Sequence, residues 1–238
     1  MANIHSIDLE LSSSQYLSIT DANQTGLDLA TDFTMEAWIK LEQLPSTTTT
    51  YFFIISKDDA SSNRSYNFAI TSADKLFVNY WDASNQTQIQ STNAIVVAGD
   101  VGSWVHIAVT VDISAQTAVM YKNGSSVGTT TTLTNPTTII DLSAPVQIGA
   151  RTGDGYYFDG KIDEVRVWSD IRTPTEISDN YEKELVGNEA NLVAYWKLNN
   201  NLLDETSNNN DLTNNNSATF SSDVPFVGAV GKSFAQII

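Results

Sequence analysis

Apolar and polar residues alternate over short segments through roughly the first 170 positions, and this period of two limits the possible folds more than any other feature. Residues 33–41 read FTMEAWIKL, which puts Phe33, Met35, Ala37, Ile39 and Leu41 on one face and Thr34, Glu36, Trp38 and Lys40 on the other. The stretch WVHIAVTV repeats the device with Val105, Ile107, Val109 and Val111 in phase, and it puts His106 on the opposite face beside Trp104 and Ala108. AVMY and SVGT flank Lys122-Asn123-Gly124, and Asn-Gly is the strongest short hairpin signal. Further strands are predicted near residues 6–11, 16–19, 51–57, 66–71, 75–81, 145–150 and 156–168. A parallel sheet needs a helical crossover between successive strands, and these gaps are too short and too polar to hold one. The chain is therefore expected to be all-β, an antiparallel sandwich or barrel.

One short helix is predicted. Thr173-Pro174-Thr175-Glu176 supplies a cap, a proline at the first helical position and an acidic first turn. Ile177, Tyr181 and Leu185 then recur at four-residue spacing, with Glu176, Asp179 and Glu182 on a solvated polar stripe. After Gly187 the composition shifts. NLVAYWKL reads as one more strand, and the asparagine runs that follow favour turns and left-handed conformations. Leu202, Leu203, Leu212 and Phe220 are the scattered apolar anchors of this part. About 50 residues with so few apolar groups cannot form a core of their own. The organisation expected is a sandwich over residues 1–187 and an Asn-rich wrapping extension over 188–238 that adds an edge strand. The apolar PFVGAVGKSFAQII at its end is expected to make contacts as a strand or peptide.

Composition narrows the function classes. The 28 acidic and 12 basic residues leave a formal charge of −16, which disfavours nucleic acid and anionic lipid as partners. The absence of cysteine excludes disulfides, thiolate metal sites and a cysteine nucleophile. Two histidines, His5 and His106, make a His-rich zinc site or a serine triad a poor fit. The start MANIHSIDLELSSSQ has no basic and apolar leader, and no apolar run is long enough for a membrane helix. The expected location is extracellular, on a cell surface or on a virion reached without a leader.

Three blocks carry a family likeness. SQYLSITDANQTGLDLATDFTMEAWIKL resembles the opening of LamG-like jelly-roll domains of the concanavalin A-like lectin/glucanase superfamily. WVHIAVTVDISAQTAVMYKNGSSVG is similar to their central strand pair and hairpin, and VQIGARTGDGYYFDGKIDEVRVWSDIRTPTEI to their last core strand and closing helix. The blocks occur in that order from Ser14 to Ile177. The resemblance implies a jelly roll of two curved antiparallel sheets with loops at the rim. NLVAYWKLNNNLLDETSNNNDLTNNN also resembles a family segment, one that precedes the first strand in many members and here follows the last. It resembles a circularly permuted edge strand, which could complete its own sandwich or that of a neighbouring chain.

The superfamily's glucanases carry two carboxylates on one strand face, in a Glu-x-Asp-x-x-Glu pattern. No strand here has that spacing, so the resemblance does not extend to hydrolysis and the chain is not expected to be an enzyme. Asp163, in KIDEVRVW, shares a face with Val165 and Val167, so strict alternation aims it at the core. A buried carboxylate needs donors or a metal. The resemblance implies a possible structural calcium at Asp163, with Asp8 and Asp21 as remote candidates; backbone N–H donors are the alternative. Sugar sites stack aromatic rings on pyranose faces and use Asp and Asn for the hydroxyls. The candidate rim groups are Asp58, Asp59, Asn63 and Arg64 in one loop, Trp81, Asp82 and Asn85 in a second, and Asp154, Tyr156 and Tyr157 in a third. Core or strand-end packing is the plainer reading of Trp81, Tyr156 and Tyr157, and a structural role that of His106. The leading expectation is a non-catalytic, lectin-like recognition or adhesion module with a glycan or surface protein as partner. The alternative is a structural virion protein or surface-array subunit that self-assembles through its jelly roll.

Overall fold

The computed structural model of the protein describes residues 3–131 and 138–226, apart from the side chains of 129–131. Two antiparallel sheets face one another. The eight-stranded sheet runs β10 (Ser125–Thr131), β9 (Thr117–Lys122), β8 (Trp104–Asp112), β3 (Phe33–Leu41), β14 (Gly160–Trp168), β1 (Ser6–Leu9) and β17 (Thr219–Ser221), and β15 (Leu192–Trp196) also pairs with β14. The seven-stranded sheet runs β16 (Thr213–Asn215), β2 (Tyr16–Ile19), β11 (Val146–Ile148), β4 (Phe52–Asp58), β5 (Arg64–Ile70), β6 (Leu76–Trp81) and β7 (Gln86–Gln90). A small hairpin, β12 (Ala150–Arg151) with β13 (Tyr156–Tyr157), packs against β4.

The alternation in β3 and β8 does what the sequence predicts. Phe33, Met35, Ala37, Ile39 and Leu41 enter the core between the sheets with Val105, Ile107, Val109 and Val111. Each large apolar side chain buried there contributes about 1.5–3 kcal/mol. The hairpin signal is also realised. Asn123 and Gly124 take φ of 48° and 73°, the two left-handed positions that a tight turn between β9 and β10 requires.

The other face of β3 and β8 is buried as well, because α2 (Pro174–Asn180) and the segment after it lie across it. Ile177 packs on Ala108 and Tyr121, and the Tyr181 ring stacks on Trp38 at 5.8 Å. A capping box starts α2, with Thr173 Oγ1 accepting from Glu176 N at 3.2 Å and Glu176 Oε2 accepting from Thr173 N at 2.8 Å. The helix is shorter than its periodicity suggests, so Glu182 and Leu185 lie beyond it. The carbonyls at its end and just beyond it turn to the sheet instead: Trp38 Nε1 donates to Tyr181 O at 2.7 Å, and Arg166 donates to Asn180 O at 3.1 Å and also to Lys183 O. A second helix of a single turn, α1 (Pro45–Thr48), adds to the one predicted.

Under α2 lies a buried polar network. Glu36 Oε2 is 3.0 Å from His106 Nε2, while Glu36 Oε1 accepts from Trp168 Nε1 at 3.0 Å and lies 3.5 Å from Arg166. Burial pushes the Glu36 carboxyl up, but Arg166 and His106 outweigh it and hold it down at about 2. Arg166 also pairs with Glu164 at 2.9 Å, and Tyr195 Oη donates to the same carboxylate at 2.5 Å. His106 is thereby a packed, hydrogen-bonded member of this network.

The Asn-rich part joins both sheets. Its predicted strand is β15, which pairs with β14; β16 pairs with β2 and β17 with β1. Asp204 organises the long connection, accepting from the backbone N–H of Tyr195, Thr206 and Asn210. Asn191, Asn200, Asn209 and Asn216 each take φ between 56° and 65°, the left-handed turns that asparagine tolerates best. Leu212 is buried, Leu202 and Phe220 pack against the core, and Leu203 is exposed. Phe226 reaches Trp38, with ring centroids 6.0 Å apart; the rest of the apolar tail lies outside the described residues.

Candidate functional site

The outer face of the seven-stranded sheet carries the most distinctive surface. Its register aligns Thr213, Ser18, Gln147, Ser56, Asn67, Asn79 and Gln88, one from each strand in spatial order. In a chain of net charge −16, this row holds hydroxyls and amides only; its middle members Gln147, Ser56, Asn67 and Asn79 are buried, and solvent reaches it at Thr213, Ser18 and Gln88. Next to it in the same pleat come Phe53, Ala69 and Phe77, with Tyr51 and Tyr156 packed on them. Tyr156 stacks on Phe53 at 5.9 Å and 15°, because the β12–β13 hairpin folds over β4. The Arg151 guanidinium lies 4.5 Å from the Phe53 ring centroid and 5.4 Å from that of Tyr156. Tyr51, Phe53, Phe77, Arg151 and Tyr156 line a niche of about 130 Å³.

A larger cleft of about 430 Å³ opens at the rim, lined by Ser61, Ser62, Arg64, Trp81, Asp82, Ala83, Ile140 and Leu142. That volume lies within the usual range of small-ligand sites. Trp81 is half-buried, and the Arg64 guanidinium sits 5.7 Å from its ring centroid. On β6 the residues Phe77, Asn79 and Trp81 share one face, so this strand connects the aromatic niche to the cleft.

The sequence-derived rim groups fall into distinct places. Arg64, Trp81 and Asp82 line the cleft, and Tyr156 lines the niche. Asp59 binds its own loop, accepting from Ser61 N and from both the backbone and the side chain of Asn63. Burial raises the Asp59 carboxyl, but these bonds prevail and hold it below the usual range. Asp82 accepts from Ser84 N and from Asn85, which likewise lowers its carboxyl. Asp58 is only 2% exposed and is held by Asn67 at 2.8 Å and Arg151 at 3.2 Å. Asp154 pairs with Arg151 through both carboxylate oxygens. Tyr157 stands apart, packed on Tyr16. Sequence reasoning missed Tyr51, Phe53, Phe77, Asn67, Asn79 and Arg151. The alternation of FVNYW put Phe77 and Asn79 in line with Trp81, but only cross-strand register brings Phe53 and Arg151 beside them.

Asp163 corrects the alternation argument. A β-bulge between Asp163 and Arg166 breaks the register with β3, and Glu164 takes φ 50° within it. Ile162, opposite Ile39, fills the core position, and Asp163 pairs across from Trp38, out of line with Val165 and Val167. Asp163 is nonetheless fully buried, with Asn3 Nδ2 donating at 2.7 Å and Glu164 N at 3.0 Å. Burial, with the neighbouring Glu164 charge, raises its carboxyl well above the usual range. Asn3 Oδ1 is buried without a partner. Turning that amide would offer calcium three oxygens at most, about half of the six to eight it takes. These residues alone do not fit the ion. Asp21, the remote candidate, clusters with Asp28 and Asp141 around the Lys57 ammonium, at 2.6, 3.0 and 3.3 Å. Asp8 lies with Glu10 and Glu42, 3.3 Å from Lys161.

With this geometry in place, the comparisons define the class. The chain belongs to the concanavalin A-like lectin/glucanases superfamily, whose family model matches residues 11–178. Among solved structures it is similar to a proposed carbohydrate binding protein from Bacteroides ovatus, at 19% identity and TM-score 0.67, over 97% of this chain and 63% of that one. It is also similar to a heptameric SAP-like pentraxin from Limulus polyphemus, at 15% identity and TM-score 0.61, covering 92% of this chain and 94% of that one. A third is the CBM40 domain of a Ruminococcus gnavus IT-sialidase bound to α2,3 sialyllactose, at 14% identity and TM-score 0.56, over 75% and 98%. At these identities the likeness establishes the fold. No curated protein matches the chain.

Proposed function

We propose that the chain is a non-catalytic, lectin-like glycan-binding module whose site is the outer face of the seven-stranded sheet. The observation that carries this reading is the juxtaposition of the Tyr51, Phe53, Phe77 and Tyr156 niche with the rim cleft, where Trp81 stands by the exposed Ser61 and Ser62 hydroxyls and opposite the exposed Gln86 amide. Aromatic faces take the C–H faces of sugars, and amides satisfy hydroxyls as donors and acceptors. Similar folds that bind sialyllactose or are proposed to bind carbohydrate support it. The carboxylates near the site are committed to loop and ion-pair contacts, and none has the exposed paired arrangement that retaining hydrolysis needs. Adhesion at a cell or particle surface belongs to the same proposal. No helix among the described residues is long and apolar enough to cross a membrane.

The test is a glycan array followed by calorimetry with the wild type, Trp81→Ala and Tyr156→Ala. Saccharide binding that drops at least tenfold in either variant, with the melting temperature held within a few degrees, supports the proposal. Binding unaffected by both variants would move the site elsewhere, and a protein that binds no saccharide would end the reading.

A further inference from the structure

Resting on the glycan-binding reading, we infer that Lys57 is a positioning residue for the Trp81 cleft: its buried ammonium fixes the aliphatic wall that a ligand would meet there. Ile140 and Leu142 supply that wall. They belong to residues 139–145, which enter no strand, so no ladder sets their place. Separate tethers do so instead. Ile139 N donates to Ala30 O at 3.1 Å, Ile140 N to Trp81 O at 2.8 Å, and Leu142 N to Ser65 Oγ at 3.3 Å. Two further tethers end on one cation, since Lys57 Nζ donates to Leu142 O and, at 3.3 Å, to Asp141 Oδ1. Lys57 itself is not part of the cleft lining, so it acts on a ligand only through this wall.

The strand pattern accounts for a lysine at this point. Lys57 follows the core residue Ile55 by two on β4 and pairs across from the buried Tyr66, so it faces inward. Its side chain is fully buried, and its head meets Asp21 at 2.6 Å and Asp28 at 3.0 Å on the connection between β2 and β3. Tyr66 Oη donates to Leu27 O at 2.8 Å and holds the same connection from the other strand. A buried ammonium persists only when paired and hydrogen-bonded. Burial pushes the Lys57 pKa down, but the bonds from Asp21 and Asp28 outweigh it and raise it, so the head stays charged. The ammonium thus clamps the segment leading into β11 onto the β2–β3 connection. Without it, Leu142 O loses its donor and three carboxylates face one another, while Ile140 stays pinned to Trp81 O. A wall fixed in advance spares the ligand the cost of ordering it on binding.

The test compares the wild type with Lys57→Met and with Val109→Ala, a core change on β8 of the other sheet that controls for lost stability. All are measured well below their melting temperatures. Hydrogen exchange read by mass spectrometry should quicken at residues 139–145 in Lys57→Met and stay unchanged in β3, β8 and β14. Val109→Ala should not reproduce that pattern. Calorimetry with the saccharide that the wild type binds best should show affinity lower by about tenfold in Lys57→Met and unchanged in Val109→Ala. Lys57→Gln, polar but uncharged, carries the same comparison if the methionine variant does not fold. Unchanged exchange at 139–145, unchanged affinity, or an equal loss in Val109→Ala would each overturn the inference and leave the glycan-binding reading standing. A wild type that binds no saccharide would remove the reading and the inference together, whatever the exchange shows.

Discussion

Replacing Asp163 by asparagine should stabilise this protein, against the usual expectation for a fully buried carboxylate with two hydrogen bonds. The Asp163 carboxyl is raised by its burial and by Glu164, so its ionised form is disfavoured in the fold relative to the unfolded chain. A raised acid makes stability fall as pH rises from the unfolded value of 3.8 through the folded one, and Asp163→Asn abolishes that loss. With the Asn3 amide turned, the new side chain keeps both contacts, donating to Asn3 Oδ1 and accepting from Glu164 N, so no hydrogen bond is lost while the buried charge is removed. A buried group short of partners costs about 1–3 kcal/mol, and in a chain of this size each kcal/mol moves Tm by about 2–4 °C. Differential scanning calorimetry in chelator should thus show Tm raised by about 2–12 °C at pH 7, with the difference shrinking toward pH 4. A fall of similar size in chelator at every pH would refute the reasoning, because it would show the carboxylate to be fully compensated as an anion. Calcium at Asp163, the competing proposal, predicts a wild-type Tm that rises reversibly with calcium and a variant that loses the response.

Other perturbations read other parts of the structure. Glu36→Gln should flatten the acid limb of unfolding. The carboxyl sits at about 2 in the fold against 4.5 unfolded, so about 3 kcal/mol present at neutral pH is lost as pH falls from about 5 toward 2, measurable by urea unfolding. His106, lowered chiefly by its burial, adds acid destabilisation below its ordinary 6.5, which His106→Gln should remove. Gly153→Ala places a Cβ 1.7 Å from Asp59 O, forcing apart the two loops that carry Arg64 and Arg151; sugar affinity should fall more than Tm does. Lys57→Met leaves Asp21, Asp28 and Asp141 facing one another and should cost about 2–3 kcal/mol in chemical denaturation, with partial rescue by salt. Truncation after Gly187 removes β15, β16 and β17 and uncovers the core beneath Trp196, so the product should lose its cooperative thermal transition.

The local parts of this fold were legible before any coordinate. Alternation in FTMEAWIKL and WVHIAVTV names the core faces of β3 and β8, Asn123-Gly124 names its hairpin, and Thr173 with Glu176 names the capped start of α2. Each signal depends on spacing within one segment, which the backbone geometry of a strand, turn or helix converts directly into direction. The same logic failed at Asp163, where a bulge absorbs one residue and shifts every later side chain. It overran at Leu185, because the carbonyls that would have prolonged α2 are taken by Trp38 and Arg166 from the sheet below.

The candidate site shows the same division. Trp81, Arg64, Asp82 and Tyr156 could be chosen from the sequence as aromatic and polar groups near turns. That Asp58 is sealed beneath Arg151, that Tyr157 turns away to Tyr16, and that Phe53 and Phe77 form the floor under Tyr156 depends on strand order and register. The row of hydroxyls and amides across seven strands draws on residues from Ser18 to Thr213. By itself the sequence determined an all-β sandwich with a net charge of −16 and no glucanase carboxylate pair. Tertiary structure alone decided that Arg151 is paired with both Asp58 and Asp154 and that an uncharged row runs across seven strands. Periodicity is a property of neighbours along the chain, whereas register and ion pairing come from long-range packing that no single segment encodes.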